Sequence, residues 1–205
     1  LQGQVRAGPW PADAQPWMTW SSPPLAEVIR DINKFSNNVM ARQLFLTMGM
    51  PPAGGPATLA QAQATVTEHV RASTRTPGAP QGPCDGASLV LDNGSGLSRD
   101  AVATPLCLAR WIEVRWADPY MPEWLASLPI AGVDGTTRRF RAAVGRAHLK
   151  TGSLDDATAL AGVVQDETGQ RHVLVAVVND PRAENARPLL QAVLAWAANS
   201  QAEAP

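Results

Sequence analysis

The spacing of apolar residues changes once along this chain, and that change limits the folds open to it. Leu25, Val28, Ile29, Ile32 and Phe35 fall on one helical stripe that stops at the polar cluster Ser36-Asn37-Asn38. Val39, Met40, Gln43, Leu44 and Leu46 continue a second helix to Gly49, and Leu59, Ala62, Val66 and Val70 form the inward face of a third over residues 57–75. After the breaker-rich stretch Pro77 to Pro83 the period shortens. Ser88 to Leu91 reads as a short strand closed by the turn Asp92-Asn93-Gly94-Ser95-Gly96, and Thr104-Pro105 opens a helix through Trp116. Pro119, Pro122 and Pro129 cut the next stretch into short pieces. Residues 147–153, 157–165 and 172–178 alternate as strands, with Glu167 to Gln170 as the last hairpin turn and a closing helix over 184–198. Helices first, then an antiparallel meander covered by a terminal helix, is an α+β layout without internal repeats. Residues 1–24, rich in Pro, Trp and Gly and without period, read as an ordered connector.

Charge removes several classes of function. Lys+Arg 17 against Asp+Glu 18 leaves no cationic footprint for nucleic acid or an anionic membrane. No apolar run is long enough for a membrane-spanning helix, and no basic-then-apolar leader is present. Because the chain opens at Leu1, it is expected to be a processed product or a piece of a longer protein. His69, His148 and His172 are dispersed, so with Cys84 and Cys107 they form no zinc site. The two cysteines leave a disulfide or two buried thiols, with the thiols preferred because each stands just outside a predicted element. Trp111, Trp116 and Trp196 lie on helical stripes and read as core in preference to sugar-stacking platforms.

Two short motifs carry chemistry. Lys34 and Lys150 are the only lysines in a chain that otherwise uses arginine. Lys150-Thr151-Gly152-Ser153 ends a predicted strand, where an amine and a hydroxyl make an anion-recognition edge and glycine lets a ligand backbone approach. A bare tripeptide of this kind would more often be a solvated lysine at a hairpin. Ser36-Asn37-Asn38, between two helices, would by itself be a helix cap. Together, Ser-x-Asn and Lys-Thr-Gly are the second and third motifs of penicillin-recognising serine enzymes, whose first is Ser-x-x-Lys. Ser95 is not a nucleophile elbow, since its flanks are Asn93 and Leu97, which leaves a Ser95-His172-Asp180 triad a weak rival. His148 shares a strand face with Lys150 and is expected to be solvated at the sheet edge.

The segments Ser22 to Ile29, Ser36-Asn-Asn, Asp92 to Arg99, Leu128 to Gly135 and His148 to Leu154 follow one another in an order that resembles a known family. That family is the D-alanyl-D-alanine carboxypeptidase/endopeptidases, peptidase family S13, the class C low-molecular-mass penicillin-binding proteins. The resemblance runs from about residue 20 to 198 and covers the C-terminal half. It implies a β-lactamase/transpeptidase-like fold, present as the C-terminal part of that domain, with an antiparallel sheet flanked by helices. A departure accompanies it. A Ser-x-x-Lys ending at Lys34 or Lys150 would need serine at Asp31 or Ala147, so the nucleophile is expected upstream, beyond inserted domains.

The implied chemistry is acyl transfer on peptidoglycan peptides ending in D-Ala-D-Ala, blocked by β-lactams, without cofactor or metal. Ser36 would relay the proton to the leaving amine, and Asn38 would hold the lysine or the substrate amide. Lys150 and Thr151 would fix the terminal carboxylate, Gly152 would admit the substrate backbone, and the Ser153 N–H would be one oxyanion donor. The resemblance also implies export to the periplasm or cell envelope and a missing N-terminal half as partner. A degenerate, non-catalytic peptidoglycan-binding module of the same fold is the alternative.

Overall fold

The computed structural model describes residues 7–9 and 11–199, so the part of the connector at residues 1–6 and Trp10 lies outside it. The described connector holds no helix or strand, and Trp17 and Trp20 stand exposed. Helices α1 (Leu25–Phe35), α2 (Asn38–Met48) and α3 (Leu59–Thr74) follow. A short pair, β1 (Leu89–Val90) and β2 (Val102–Ala103), precedes α4 (Pro105–Arg115) and α5 (Met121–Ser127). The meander β3 (Ala147–Leu154), β4 (Ala157–Gln165) and β5 (Arg171–Asn179) is closed by α6 (Arg187–Asn199). No helix among the described residues is long and apolar enough to cross a membrane.

Local chemistry sets these boundaries. Thr58 and Gln61 form a reciprocal capping box at the start of α3, and Thr104 caps α4 by accepting the Cys107 N–H with Pro105 in the first turn. The sheet runs β3-β4-β5, antiparallel throughout. Alternation sends Ala147, Leu149, Leu160 and Val164 to one face, where Leu190 and Leu194 of α6 close the main core. The other face of β3 carries His148 and Lys150 toward the helical layer, and α4 packs on β5 and β4.

Four expectations are corrected. Cys84 and Cys107 form a disulfide, Cα atoms 4.8 Å apart, with Cys107 inside the first turn of α4 instead of outside an element. It staples the loop after α3 to α4 within a second cluster containing Val70 and Leu89. Trp196 is exposed, because α6 turns Leu190, Leu194, Ala197 and Ala198 inward and leaves position 196 outside. Leu25 and Phe35, at the two ends of the first stripe, are likewise exposed, and only Ile32 of that stripe is fully buried. His148 is half-buried, not solvated: its Nδ1 meets the Leu125 carbonyl at 3.0 Å and its backbone bridges Ile130.

Candidate active site

Ser36 sits where α1 ends, in a left-handed conformation with φ 53°. Such a C-cap is ordinary for glycine and costs a serine on the order of 1 kcal/mol, so something holds it there. It does not cap α2. That role falls to Asn37, whose side chain accepts the Met40 N–H at 3.1 Å. The Ser36 hydroxyl instead receives a hydrogen bond from the Lys150 ammonium, which reaches it from β3, 114 residues away in sequence. Lys150 also donates to the Thr151 carbonyl at 2.8 Å, and burial pushes its pKa below the ordinary lysine value.

The strand carrying Lys150 is the edge of the sheet. Leu149 donates its N–H to the Pro129 carbonyl at 2.8 Å and Ala147 accepts from the Ala131 N–H at 2.9 Å across the outer edge. By the two-residue alternation, Thr151 and Ser153 turn their backbone groups the same way, beyond the point where the 129–131 segment pairs. A Cβ added at Gly152 would meet only the Ala159 methyl at 3.6 Å. Internal packing therefore does not demand glycine at this position. The Thr151 hydroxyl donates to Thr136 at 2.9 Å.

A loop joins the two motifs from the side. Asn38 donates to the Ser95 carbonyl at 2.7 Å, and Arg42 donates to the Asn93 carbonyl at 3.3 Å. Farther along that loop, Arg99 pairs with Asp155 and Asp156 in the turn that ends β3. The segment 93–99 thus spans from the start of α2 to the end of the Lys150 strand. Arg99 has no local signal that would have announced this, because its partners lie 56 or more positions away.

Lys34, two residues before Ser36, anchors the same junction. Its buried ammonium donates to the Leu128 carbonyl at 2.7 Å and to Asp134 at 2.6 Å, and Asp134 also accepts the Ile130 N–H at 2.7 Å. Burial works against ionisation of Asp134, yet the Lys34 ammonium and the Ile130 N–H hold its carboxyl below the usual value. Gly135, φ 55°, lets the loop close against α1, since a Cβ there would lie 2.8 Å from the Lys34 carbonyl. Lys34→Met is expected to cost about 2 kcal/mol in a chemical-unfolding measurement. That is less than the ~3–5 kcal/mol of a wholly buried broken pair, because the Asp134 side chain is 39% exposed and solvent compensates part of the loss.

The rival triad does not assemble. The Ser95 hydroxyl donates to Asn93 within its own turn at 2.6 Å, and His172 pairs with Asp166, not Asp180, at 2.8 Å. His172 and Thr168 draw the Asp166 carboxyl down to about 2, which makes it the tie of the β4–β5 hairpin. Among the described residues no group of three or more His, Cys, Asp or Glu could hold a metal ion.

The chain is 32% identical over 191 residues to the D-alanyl-D-alanine carboxypeptidase of Actinomadura sp. (strain R39), covering 88% of this chain and 33% of that protein. It is 32% identical over 184 residues to the carboxypeptidase DacB of Mycolicibacterium smegmatis, covering 84% of this chain and 38% of the relative. It thus spans about a third of the length of these relatives. Its fold matches penicillin binding protein 4 (dacB) of Haemophilus influenzae with a TM-score of 0.65 at 24% identity, over 83% of this chain and 40% of that one. A predatory endopeptidase of Bdellovibrio bacteriovorus matches with a TM-score of 0.62 at 19% identity, over 85% and 45%. The fold expected from the sequence, that of the penicillin-binding DD-peptidases, is therefore the one present. With residues 1–200 matching the family's sequence model, the chain belongs to the D-Ala-D-Ala carboxypeptidase 3 (S13) family.

Proposed function

We propose that this chain supplies the proton-relay and substrate-anchoring side of a serine-type D-Ala-D-Ala peptidase that acts on peptidoglycan stem peptides and is blocked by penicillin. The nucleophile is a Ser-x-x-Lys serine outside this chain, in the N-terminal half of the same domain. The observation that carries this reading is the Lys150 ammonium resting on the Ser36 hydroxyl at an open strand edge, with α2 capped by another residue. A hydroxyl so placed can pass a proton to a leaving amine, and the adjacent cation lowers the cost of negative charge on its oxygen.

Each motif residue then has a task. Lys150 and Thr151 hold the substrate's terminal carboxylate, and partial burial strengthens the ammonium's attraction for it. Gly152, having no side chain, lets the substrate backbone approach the strand closely. The Ser153 N–H, directed outward, is one oxyanion donor, and the nucleophile's own N–H is the other. Asn38 orients the peptide amide or the catalytic lysine while the Ser95 carbonyl fixes its side chain. The disulfide fits folding in an oxidising compartment, and with it an exported, envelope-associated protein.

The test is release of D-alanine. A protein joining this chain to its upstream Ser-x-x-Lys half should liberate D-alanine from an N-acylated peptide ending in D-Ala-D-Ala and lose that activity after penicillin treatment. A peptide-binding protein that releases none would support a non-catalytic module instead.

A further inference from the structure

Lys150 and Ser36 come from different layers of the fold, so the hydrogen bond between them exists only if those layers are held in register. The place of Lys150 is set by the sheet, because β3 pairs with β4 over its full length, from Ala147 to Leu154. Ser36 has no such frame. It follows α1, which packs chiefly on α5 and on the short turn Gly135–Thr137.

Two polar ties hold the last turn of α1. Asn33 donates to the Ser127 hydroxyl at 2.8 Å, and that hydroxyl donates to the Trp124 carbonyl at 2.6 Å, so this tie ends within α5. Lys34 reaches farther. The segment it grips, from Leu128 to Asp134, is the one that pairs with the outer edge of β3, where Pro129 and Ala131 bond to Leu149 and Ala147. Asp134 in turn accepts the N–H of Ile130, which bridges His148 on that strand. A ring of chain and hydrogen bonds therefore runs from Ser36 through Lys34 and Asp134 to β3, and closes where Lys150 returns to Ser36. The Lys34 ammonium is buried and bonded on two sides within the protein, so its charge serves this ring and not a ligand.

We infer that Lys34 is a positioning residue for the proposed proton relay: with Asp134 it sets the reach between the Ser36 hydroxyl and the Lys150 ammonium, and it acts on catalysis through Ser36. This rests on the proposed peptidase function. A displacement of ~1 Å at a reacting group can cost ~10²-fold in rate. Lys34→Met opens the ring but leaves the Asn33 tie in place, so a smaller loss of about tenfold in the acylation rate constant is expected. Non-covalent affinity for the β-lactam should not change, because Lys150 stays on its strand.

The experiment is a double-mutant cycle in the protein carrying both halves of the domain, read by stopped-flow acylation with a chromogenic β-lactam at a temperature where every variant is folded. Lys34→Met should slow acylation about tenfold in the parent but less than about twofold in the Ser36→Ala background, where no hydroxyl is left to position. Asp134→Asn keeps the side chain's shape while removing the charge that Lys34 grips, and carries the test if Lys34→Met does not fold. It should show the same pattern at about threefold, since a neutral acceptor holds the ammonium less firmly. Asn33→Ala loosens α1 from α5 but spares the link to β3, so it should lower the unfolding temperature and leave acylation within about twofold of the parent. Equal slowing by Lys34→Met with and without the Ser36 hydroxyl, or as large an effect from Asn33→Ala, overturns the positioning role and leaves a plain structural anchor. If the parent takes up no β-lactam, or Ser36→Ala is acylated as fast as the parent, the relay reading itself has failed and the positioning role falls with it.

Discussion

Replacing Ser36 by alanine in the protein that carries both halves is expected to slow acylation by ~10²-fold or more, the usual scale for loss of a proton-transfer group. Stability should change by less than the ~1 kcal/mol of a lost helix cap, because Asn37 and not Ser36 caps α2. Ser36→Gly separates the two roles further. Glycine adopts the left-handed conformation without strain, so this variant should be as slow as Ser36→Ala yet no less stable than the parent. Stopped-flow acylation by a chromogenic β-lactam and thermal unfolding of the same samples check both halves. A stability loss with intact acylation would reduce Ser36 to a structural cap.

Lys150→Arg should lower kcat/KM on a D-Ala-D-Ala peptide by about 10²-fold, at the scale of removing one well-placed charged donor. The charge survives, but a planar guanidinium cannot put one donor on both the Ser36 hydroxyl and the Thr151 carbonyl as the ammonium does. The pH dependence gives a second readout. Burial lowers the Lys150 pKa, so the charged form is lost at a lower pH than for a free lysine, and kcat/KM should fall on the alkaline side below about pH 10.4. Arginine stays charged throughout, so the residual activity of Lys150→Arg should lack that alkaline limb. Equal kcat/KM and an unmoved profile would remove Lys150 from the site.

Why some of this could be read from the sequence and some could not follows from the range of the interactions. Helices α1 to α4 are set by apolar spacing and by caps within four residues, such as Thr58 with Gln61 or Thr104 with Pro105. The meander is equally local, because alternation and short turns fix β3 to β5. The pairing of β1 with β2 escaped, since two residues make no period. The disulfide joins positions 23 apart through tertiary packing, and Trp196 fell outside because only the packed helix decides which flank of its stripe is covered.

The site shows the same division. Ser36, Asn38 and Lys150 stood out as motif residues, but the contact of Lys150 with Ser36 and of Asn38 with the Ser95 carbonyl required the fold. That Asn37 rather than Ser36 would cap α2 depends on the backbone angle at the junction, for which both side chains have suitable chemistry. Lys34 drew notice as one of two lysines and as the end of a Ser-x-x-Lys that would need serine at Asp31. Its partner Asp134 lies 100 positions on, and no spacing rule connects them.

Covalent labelling by a fluorescent penicillin addresses the central claim most directly, because it asks where the nucleophile is. The isolated 205 residues, Ser36 and Lys150 included, should take up no label, since the proposed function places the serine that forms the ester and its N–H oxyanion donor in an upstream half; loss of that donor alone costs ~10²-fold or more. The upstream segment carrying Ser-x-x-Lys, added in trans or joined in one chain, should restore a labelled band on its own serine. A covalent label on the 205 residues alone would contradict the account, because it would place a nucleophile within this chain, with Ser36 and the turn residue Ser95 as the first positions to examine.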